Sequence, residues 1–304
     1  MHKMELSGPQ LQKMTKLIFN PYSGNRKQSA EQLMEVESGL QQSGSLFETY
    51  FTEPDGNLGE MIHDAFIRGI RRFTVCGGDG TVSSVARELN GYGAILNIIP
   101  KGTQNNIAYS LKIPFDLDSA MRLSNSGQAE TVDIGLLTSG KKYFSFLEVC
   151  SIGLISSVFS SADAIQHGNF LRISDFISKL AKTKPAQFHM LVDDKYQLNG
   201  TAYCIVVSSM PYIFRHYEVG PAHAYRDGLL DVSVFTDMTK LDLAGCAIKI
   251  NSLEDERIQR FCSKKIELDT FPDLPVMADG VDLDLGHIKI EAQRSSFQVI
   301  TGYK

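Results

Sequence analysis

A chain of 304 residues is long enough for two domains of ordinary size, because single cores stop growing near this length. Apolar residues make up 43% and charged residues 21%, which excludes disordered and collagen-like classes. A formal charge of −5 argues against a nucleic-acid-coating protein, so no nucleic-acid partner is expected.

The N-terminal MHKMELSGPQLQKMTK lacks the apolar core of a signal peptide, and no stretch nears the roughly eighteen apolar residues needed to span a bilayer. The expectation is a cytoplasmic protein without a transmembrane segment. Cys76, Cys150, Cys204, Cys246 and Cys262 lie far apart with no C-x-x-C pair, so they read as small buried apolar residues rather than as disulfides or zinc ligands.

The first segment alternates strand and helix. KLIFN is a short apolar strand, and SAEQLMEVESGLQQSG is a helix with Leu33, Val36 and Leu40 on one face. LFETYFT follows as a strand, GEMIHDAFIRGIRR as a helix and RFTVCGG as a strand. TVSSVARELNG places Val82, Val85, Ala86 and Leu89 at helical spacing, and AILNIIP is a further strand ending at Pro100. Such alternation predicts a mostly parallel, Rossmann-like α/β sheet whose ligands gather at the carboxyl ends of its strands.

From about Glu130 the pattern becomes mainly β: ETVDIGLLTS, KKYFSFLEVCSI, QFHMLVDD, KYQLNG, TAYCIVVSSM, LLDVSVFT, KIELDT and HIKIEA. Asn199-Gly200 reads as a turn between two of these strands. Helices are expected across Ile155 to Lys182 and Leu241 to Ile250. The domain expectation is 1–128 for the α/β part, with about 294–304 returning to it, and 129–293 for a β-sandwich.

In CGGDGT the strand ends at Cys76, glycines clear space for close backbone approach, and Thr81 is placed to cap a helix beginning at Val82. A helix N-terminus suits a phosphate, which Asp79 would repel unless Mg²⁺ or a substrate hydroxyl intervenes. The alternative is that Asp79 merely closes a tight turn. NPYSGNRK, Thr52 after the second strand, and PKGTQNNIAYS with Lys101, Gly102, Thr103 and Asn105 bring three more polar loops to the same sheet edge.

NPYSG, GGDGT and the GT of PKGTQNN, in this order and spacing, resemble the diacylglycerol kinase catalytic-domain family, which includes bacterial soluble lipid kinases and sphingosine and ceramide kinases. The resemblance covers nearly the whole chain. It implies an α/β nucleotide domain followed by a β-sandwich, ATP and Mg²⁺ as cofactors, and transfer of the γ-phosphate to a lipid hydroxyl. Carried onto this chain, the nucleotide contacts are Asn20, Pro21, Tyr22, Ser23 and Gly24, then Thr52, then Gly77, Gly78, Asp79, Gly80, Thr81, Val82, Ser83 and Ser84, and then Gly102, Thr103 and Asn105.

The resemblance also implies a Mg²⁺ at the AYRDGL turn, held by the Asp227 carboxylate and the carbonyls of Ala224 and Leu229. An Asp-Gly turn is the favoured reading there, with the metal as an addition to it. The family's D-G-E glutamate is replaced: Asp279 and Gly280 are followed by Val281, which cannot take a proton, leaving Asp79, Asp279 or Asp282 as the candidate base. Gln104, Asn106 and Glu148 also stand where a glycine, an aspartate and an asparagine are usual. The competing expectations are a nucleotide-binding regulator with impaired turnover, or a kinase of a non-lipid alcohol or of NAD.

NFLRISDFISKLAKTKP sets Phe170, Ile173, Phe176, Ile177 and Leu180 on one helical face, with basic residues elsewhere. That face is fit either to lie on an anionic leaflet or to cover the protein's own core. The expected partner is therefore a lipid at the inner membrane face, reached peripherally, with a homodimer left open.

Overall fold

The computed structural model describes residues 14–24, 26–153, 184–213, 217–236, 238–239, 242 and 255–303. Residue contacts divide the chain into two compact units, one running through Val132 and including Ser295–Lys304, the other Asp133–Arg294. The helices expected within 155–182 and 241–250, the amphipathic face and Cys246 lie outside the described residues, save for the single position Asp242.

The first unit runs β1 (Met14–Phe19), α1 (Ser29–Gln42), β2 (Leu46–Phe51), α2 (Leu58–Ile67), β3 (Arg72–Gly77), α3 (Asp79–Leu89), β4 (Ile95–Pro100), α4 (Asn106–Ser110) and α5 (Leu117–Ser126). The pairs β2–β1, β1–β3 and β3–β4 are all parallel, and Gln298 and Val299 of the last strand add a parallel neighbour beside β4. β1 is buried along its length, as a central parallel strand covered on both faces should be.

Its inward residues Leu17 and Phe19 pack with Val36 and Leu40 of α1, Cys76, Ile99 and Met121 of α5. A Cβ on Gly39 would lie 2.9 Å from the Met121 methyl carbon, so this glycine lets α1 and α5 close up. Helix α5 was not expected from LDSAMRLSNS: only Ala120 and Met121 are buried, and its start is set by the Asp116 carboxylate accepting from Ser119 N at 2.9 Å. Lys16, buried in β1, is held by Glu48 of β2, which also receives Arg68. Hydrogen bonding to Arg68, then to Lys16, holds the Glu48 carboxyl down at about 2.

The second unit is antiparallel. β5 (Gln128–Ser139) enters it and pairs with β6 (Lys142–Phe146); β7 (Val149–Gly153), β8 (Ala186–Val192), β9 (Tyr196–Ser208), β10 (Tyr212–Ile213), β11 (Tyr217–Glu218), β12 (Leu230–Thr236), β13 (Ile258–Ser263), β14 (Lys265–Phe271), β15 (Val276–Ala278), β16 (Val281–Leu283) and β17 (Ile288–Thr301) follow. The order β16-β15-β7-β9-β8-β14-β17, with β12 joining β9 and β13, builds a core from Phe146, Ile152, Phe188, Met190, Ile205, Val232, Ile266 and Leu268.

Here three expectations are corrected. Asn199-Gly200 is no turn: both residues lie within β9, opposite His189 and Phe188, where Gly200 leaves room for the Phe188 ring. The hairpin turns instead at Asp193 and Asp194, both at positive φ, which aspartate tolerates. KKYFSFLEVCSI breaks at Leu147 into two strands. Cys262 is exposed on the edge strand β13 and donates its thiol to Asp231, unlike the buried Cys76, Cys150 and Cys204.

Candidate functional site

The carboxyl ends of β1 to β4 carry four loops that hold one another in place. Asn20, following β1, accepts the Tyr22 amide on Oδ1 at 2.9 Å and donates from Nδ2 to Thr81 Oγ1 at 2.8 Å. Ser23 Oγ accepts the Gly78 amide at 3.3 Å. A Cβ on Gly78 would stand 3.0 Å from the Gly102 Cα, and one on Gly102 only 2.6 Å from the Gly78 Cα, so the two loops touch backbone to backbone and only glycine fits at either place.

Helix α3 begins at Asp79 with Gly78 as its N-cap, three residues earlier in the chain than Thr81. Thr81 is therefore not the cap: its hydroxyl receives Asn20, and its side chain packs over Gly77, where a Cβ would lie 2.7 Å away. Asp79 Oδ1 accepts the Ile107 amide at 3.0 Å, tying the start of α3 to the start of α4. Asn105, in the left-handed conformation, clasps Gly102 from both sides, accepting its N–H at 2.7 Å and donating to its C=O at 2.8 Å.

Lys101, part of the polar loop after β4, has a buried side chain engaged inside the loop framework. Nζ donates to Asn20 O at 3.2 Å and to Ser29 Oγ at 2.8 Å, and lies 4.0 Å over the Phe19 ring. Burial lowers its pKa. The Lys101 carbonyl also abuts Gly24, where a Cβ would come within 2.3 Å, so Gly24 at positive φ serves the fit of this loop.

Beside these loops opens a cleft of about 1200 Å³. Of the expected nucleotide contacts it brings together Asn20, Tyr22, Ser23, Thr52, Gly78, Gly80, Thr81 and Ser84. Pro21, Gly24, Gly77, Asp79, Gly102, Thr103 and Asn105 are not part of that lining, although Asp79 sits between Gly78 and Gly80, which are. Val82 and Ser83 also lie outside the lining, their side chains buried on the inner face of α3, because four successive helical residues cannot all face one cleft.

The lining also includes residues that the sequence did not point to: Tyr50, the β2–α2 loop from Glu53 to Asn57, Leu58 and Gly59 of α2, Arg87 and Glu88. Helical spacing from Gly80 and Ser84 would have found the last two. Asn57 caps α2, its Oδ1 accepting the Glu60 amide at 3.0 Å, which fixes the end of that loop.

In the second unit, Asp279 and Gly280 form a two-residue turn between β15 and β16, both at positive φ, as Asp-Gly hairpins require. The Asp279 carboxylate accepts three backbone amides, Leu147 at 2.6 Å and Glu148 and Val149 at 3.0 Å each, so it clamps the break between β6 and β7. Asp282 and Val281 are exposed on β16.

Asp227 Oδ1 accepts the Leu229 amide at 2.9 Å, and the Gly228 amide goes to Asp133 at 2.6 Å. Burial raises the pKa of Asp133 and pushes Asp231 up to about 6, with the neighbouring charge of Asp227 adding to both. Asp227 thus adds negative charge beside Asp133 and Asp231, and Arg294 offsets part of it at Asp133. Among the described residues, no group of three His, Cys, Asp or Glu side chains is placed to hold a metal ion.

This fold and these loops are those of a lipid-kinase-like family. Residues 14–137 match the model of the diacylglycerol kinase catalytic domain, and residues 150–301 match the YegS C-terminal NAD kinase beta sandwich-like domain. The chain belongs to the diacylglycerol kinase catalytic-domain family. It is 26% identical over 231 residues to a protein of Escherichia fergusonii named probable lipid kinase YegS, covering 72% of this chain and 73% of that one. It is 22% identical over 280 residues to the diacylglycerol kinase of Bacillus subtilis, covering 88% and 89%. A crystal structure of a diacylglycerol kinase from Bacillus anthracis superposes with a TM-score of 0.73 at 20% identity, over 95% of this chain and 97% of that one.

Proposed function

We propose that the protein is an ATP-dependent lipid kinase that passes the γ-phosphate to a hydroxyl of a diacylglycerol-like lipid at a membrane surface. The observation that carries this is the interlocked set of loops at one end of the parallel sheet. Asn20, Ser23, Gly78, Gly80 and Thr81 surround the start of α3 with amides and hydroxyls, beside a cleft of nucleotide size. Phosphoryl transfer depends mainly on positioning and charge neutralisation, and preorganised loops supply the first.

In this reading Asp79, set between Gly78 and Gly80 of the cleft lining, is the catalytic carboxylate, rather than Asp282 or Asp279, whose carboxylate accepts three amides. The bond from Ile107 N fixes the Asp79 side chain at the start of α3, where it either orients the Mg²⁺-bound triphosphate or accepts the acceptor hydroxyl's proton. Magnesium would neutralise phosphate charge when bound. A second, structural ion would be held by Asp227 with the carbonyls of Ala224 and Leu229.

One observation favours a second reading, a nucleotide-binding regulator: the position after Gly280 is the exposed Val281, which offers no base. Labelled ATP, Mg²⁺ and a mixed lipid extract separate the two. Label in the organic phase supports the kinase; ATP-dependent thermal stabilisation with no label transferred to lipid or to a water-soluble alcohol, NAD included, supports the regulator.

A further inference from the structure

We propose that Arg87 is the residue that selects the nucleoside end of the nucleotide. The inference rests on the nucleotide reading above and extends it to a position that the loop motifs do not include. Gly80, Ser84 and Arg87 line the cleft from one face of α3. At the helical rise, Arg87 lies roughly 10 Å along the axis from Gly80. Phosphates seated at the start of α3 end short of it, and the sugar and base come level with it.

The charges agree. Arg87 lines the cleft together with Glu53, Asp55 and Glu88, and it is the one Lys or Arg among the described lining residues. Carboxylates so placed repel phosphate and accept hydrogen bonds from ribose hydroxyls and from exocyclic amines. The guanidinium donates from Nη2 to Ser84 Oγ at 3.3 Å, which orients its plane. A planar cation held in this way stacks on a purine face, an interaction that an ammonium does not reproduce.

The test is calorimetric titration of wild type, Arg87→Ala and Arg87→Lys with MgATP and, separately, with magnesium tripolyphosphate, after circular dichroism has shown each to be folded. The expected result is an ATP dissociation constant raised about tenfold in Arg87→Ala and by a similar factor in Arg87→Lys, with tripolyphosphate affinity unchanged in both. Equal weakening for the two ligands would place Arg87 on the phosphates and overturn the inference, and full retention of ATP affinity by Arg87→Lys would reduce it to a charge effect and overturn it as well. Wild-type protein that binds neither ligand would remove the nucleotide reading itself, whereas ATP binding untouched in both variants would remove only the role of Arg87.

Discussion

Asp79 joins two kinds of work in one side chain. Its Oδ1 receives the Ile107 amide, an architectural bond, while its position at the first residue of α3 puts a negative charge where an anion would otherwise settle. Asparagine keeps an oxygen for Ile107 and removes the charge. Asp79→Asn is therefore expected to hold its melting temperature within about 2 °C while lipid phosphorylation falls by at least about a hundredfold; a fold-preserving variant with near-normal turnover would move the chemistry elsewhere. Lys101 makes the opposite case, a cation absorbed by structure. Lys101→Met removes the bonds to Asn20 O and Ser29 Oγ and should cost about 2 kcal/mol of stability, with weaker ATP binding as the Asn20 loop loosens. Urea unfolding together with nucleotide titration checks both parts, and unaltered affinity would show that Asn20 keeps its place without Lys101.

At the scale of elements, the site is made by the approach of two turns, not by any one motif. The turn after β3 and the turn after β4 meet at Gly78 and Gly102, and Asn105 clasps the second so that it presents its backbone to the first. Gly102→Ala places a methyl group 2.6 Å from a backbone carbon, which cannot turn aside, and 2.8 Å from Asn105 Oδ1, whose side chain is held by its bonds to Gly102. The loops must part, and the expected loss is on the order of 1–3 kcal/mol together with most of the nucleotide-induced rise in melting temperature. Scanning calorimetry with and without MgATP measures both, and an undiminished ATP shift would mean that the contact is incidental to binding.

For the molecule as a whole, the consequence open to measurement is pH dependence. Asp231 is 7% exposed, and burial first, then the charge of Asp227, pushes it up to about 6, against an ordinary value near ~4. A carboxyl raised on folding contributes stability that is present below its unfolded pKa and is lost as pH rises through the folded one. Asp231→Asn should therefore gain little at pH 4 and on the order of 2–3 kcal/mol at pH 8 in chelator, the difference developing between about pH 4 and pH 6. Thermal melts across that range decide it. Glu48, held at about 2 by Arg68 and Lys16, acts in the reverse sense, and its contribution is lost only as pH falls from about 4 toward 2.

Much of this protein was legible in the order of its residues because the signals were local. Apolar runs such as KLIFN and NIIP, separated by helical periodicities, define parallel β/α units, and period-two runs after Glu130 define the antiparallel sheet. GGDGT and NPYSG marked the strand ends because glycine and small polar residues leave the backbone bare where loops must crowd together. What the order of residues could not decide were pairings across distance. That Asn199-Gly200 runs straight through a strand depends on the Phe188 ring opposite it. That α5 is a helix depends on Met121 reaching the core of α1, and that Lys101 is buried structure depends on Asn20 and Ser29 lying where its ammonium can reach them. Periodicity is a property of neighbours in the chain, whereas burial and hydrogen-bond partnership are properties of neighbours in space, and only folding makes the second set known.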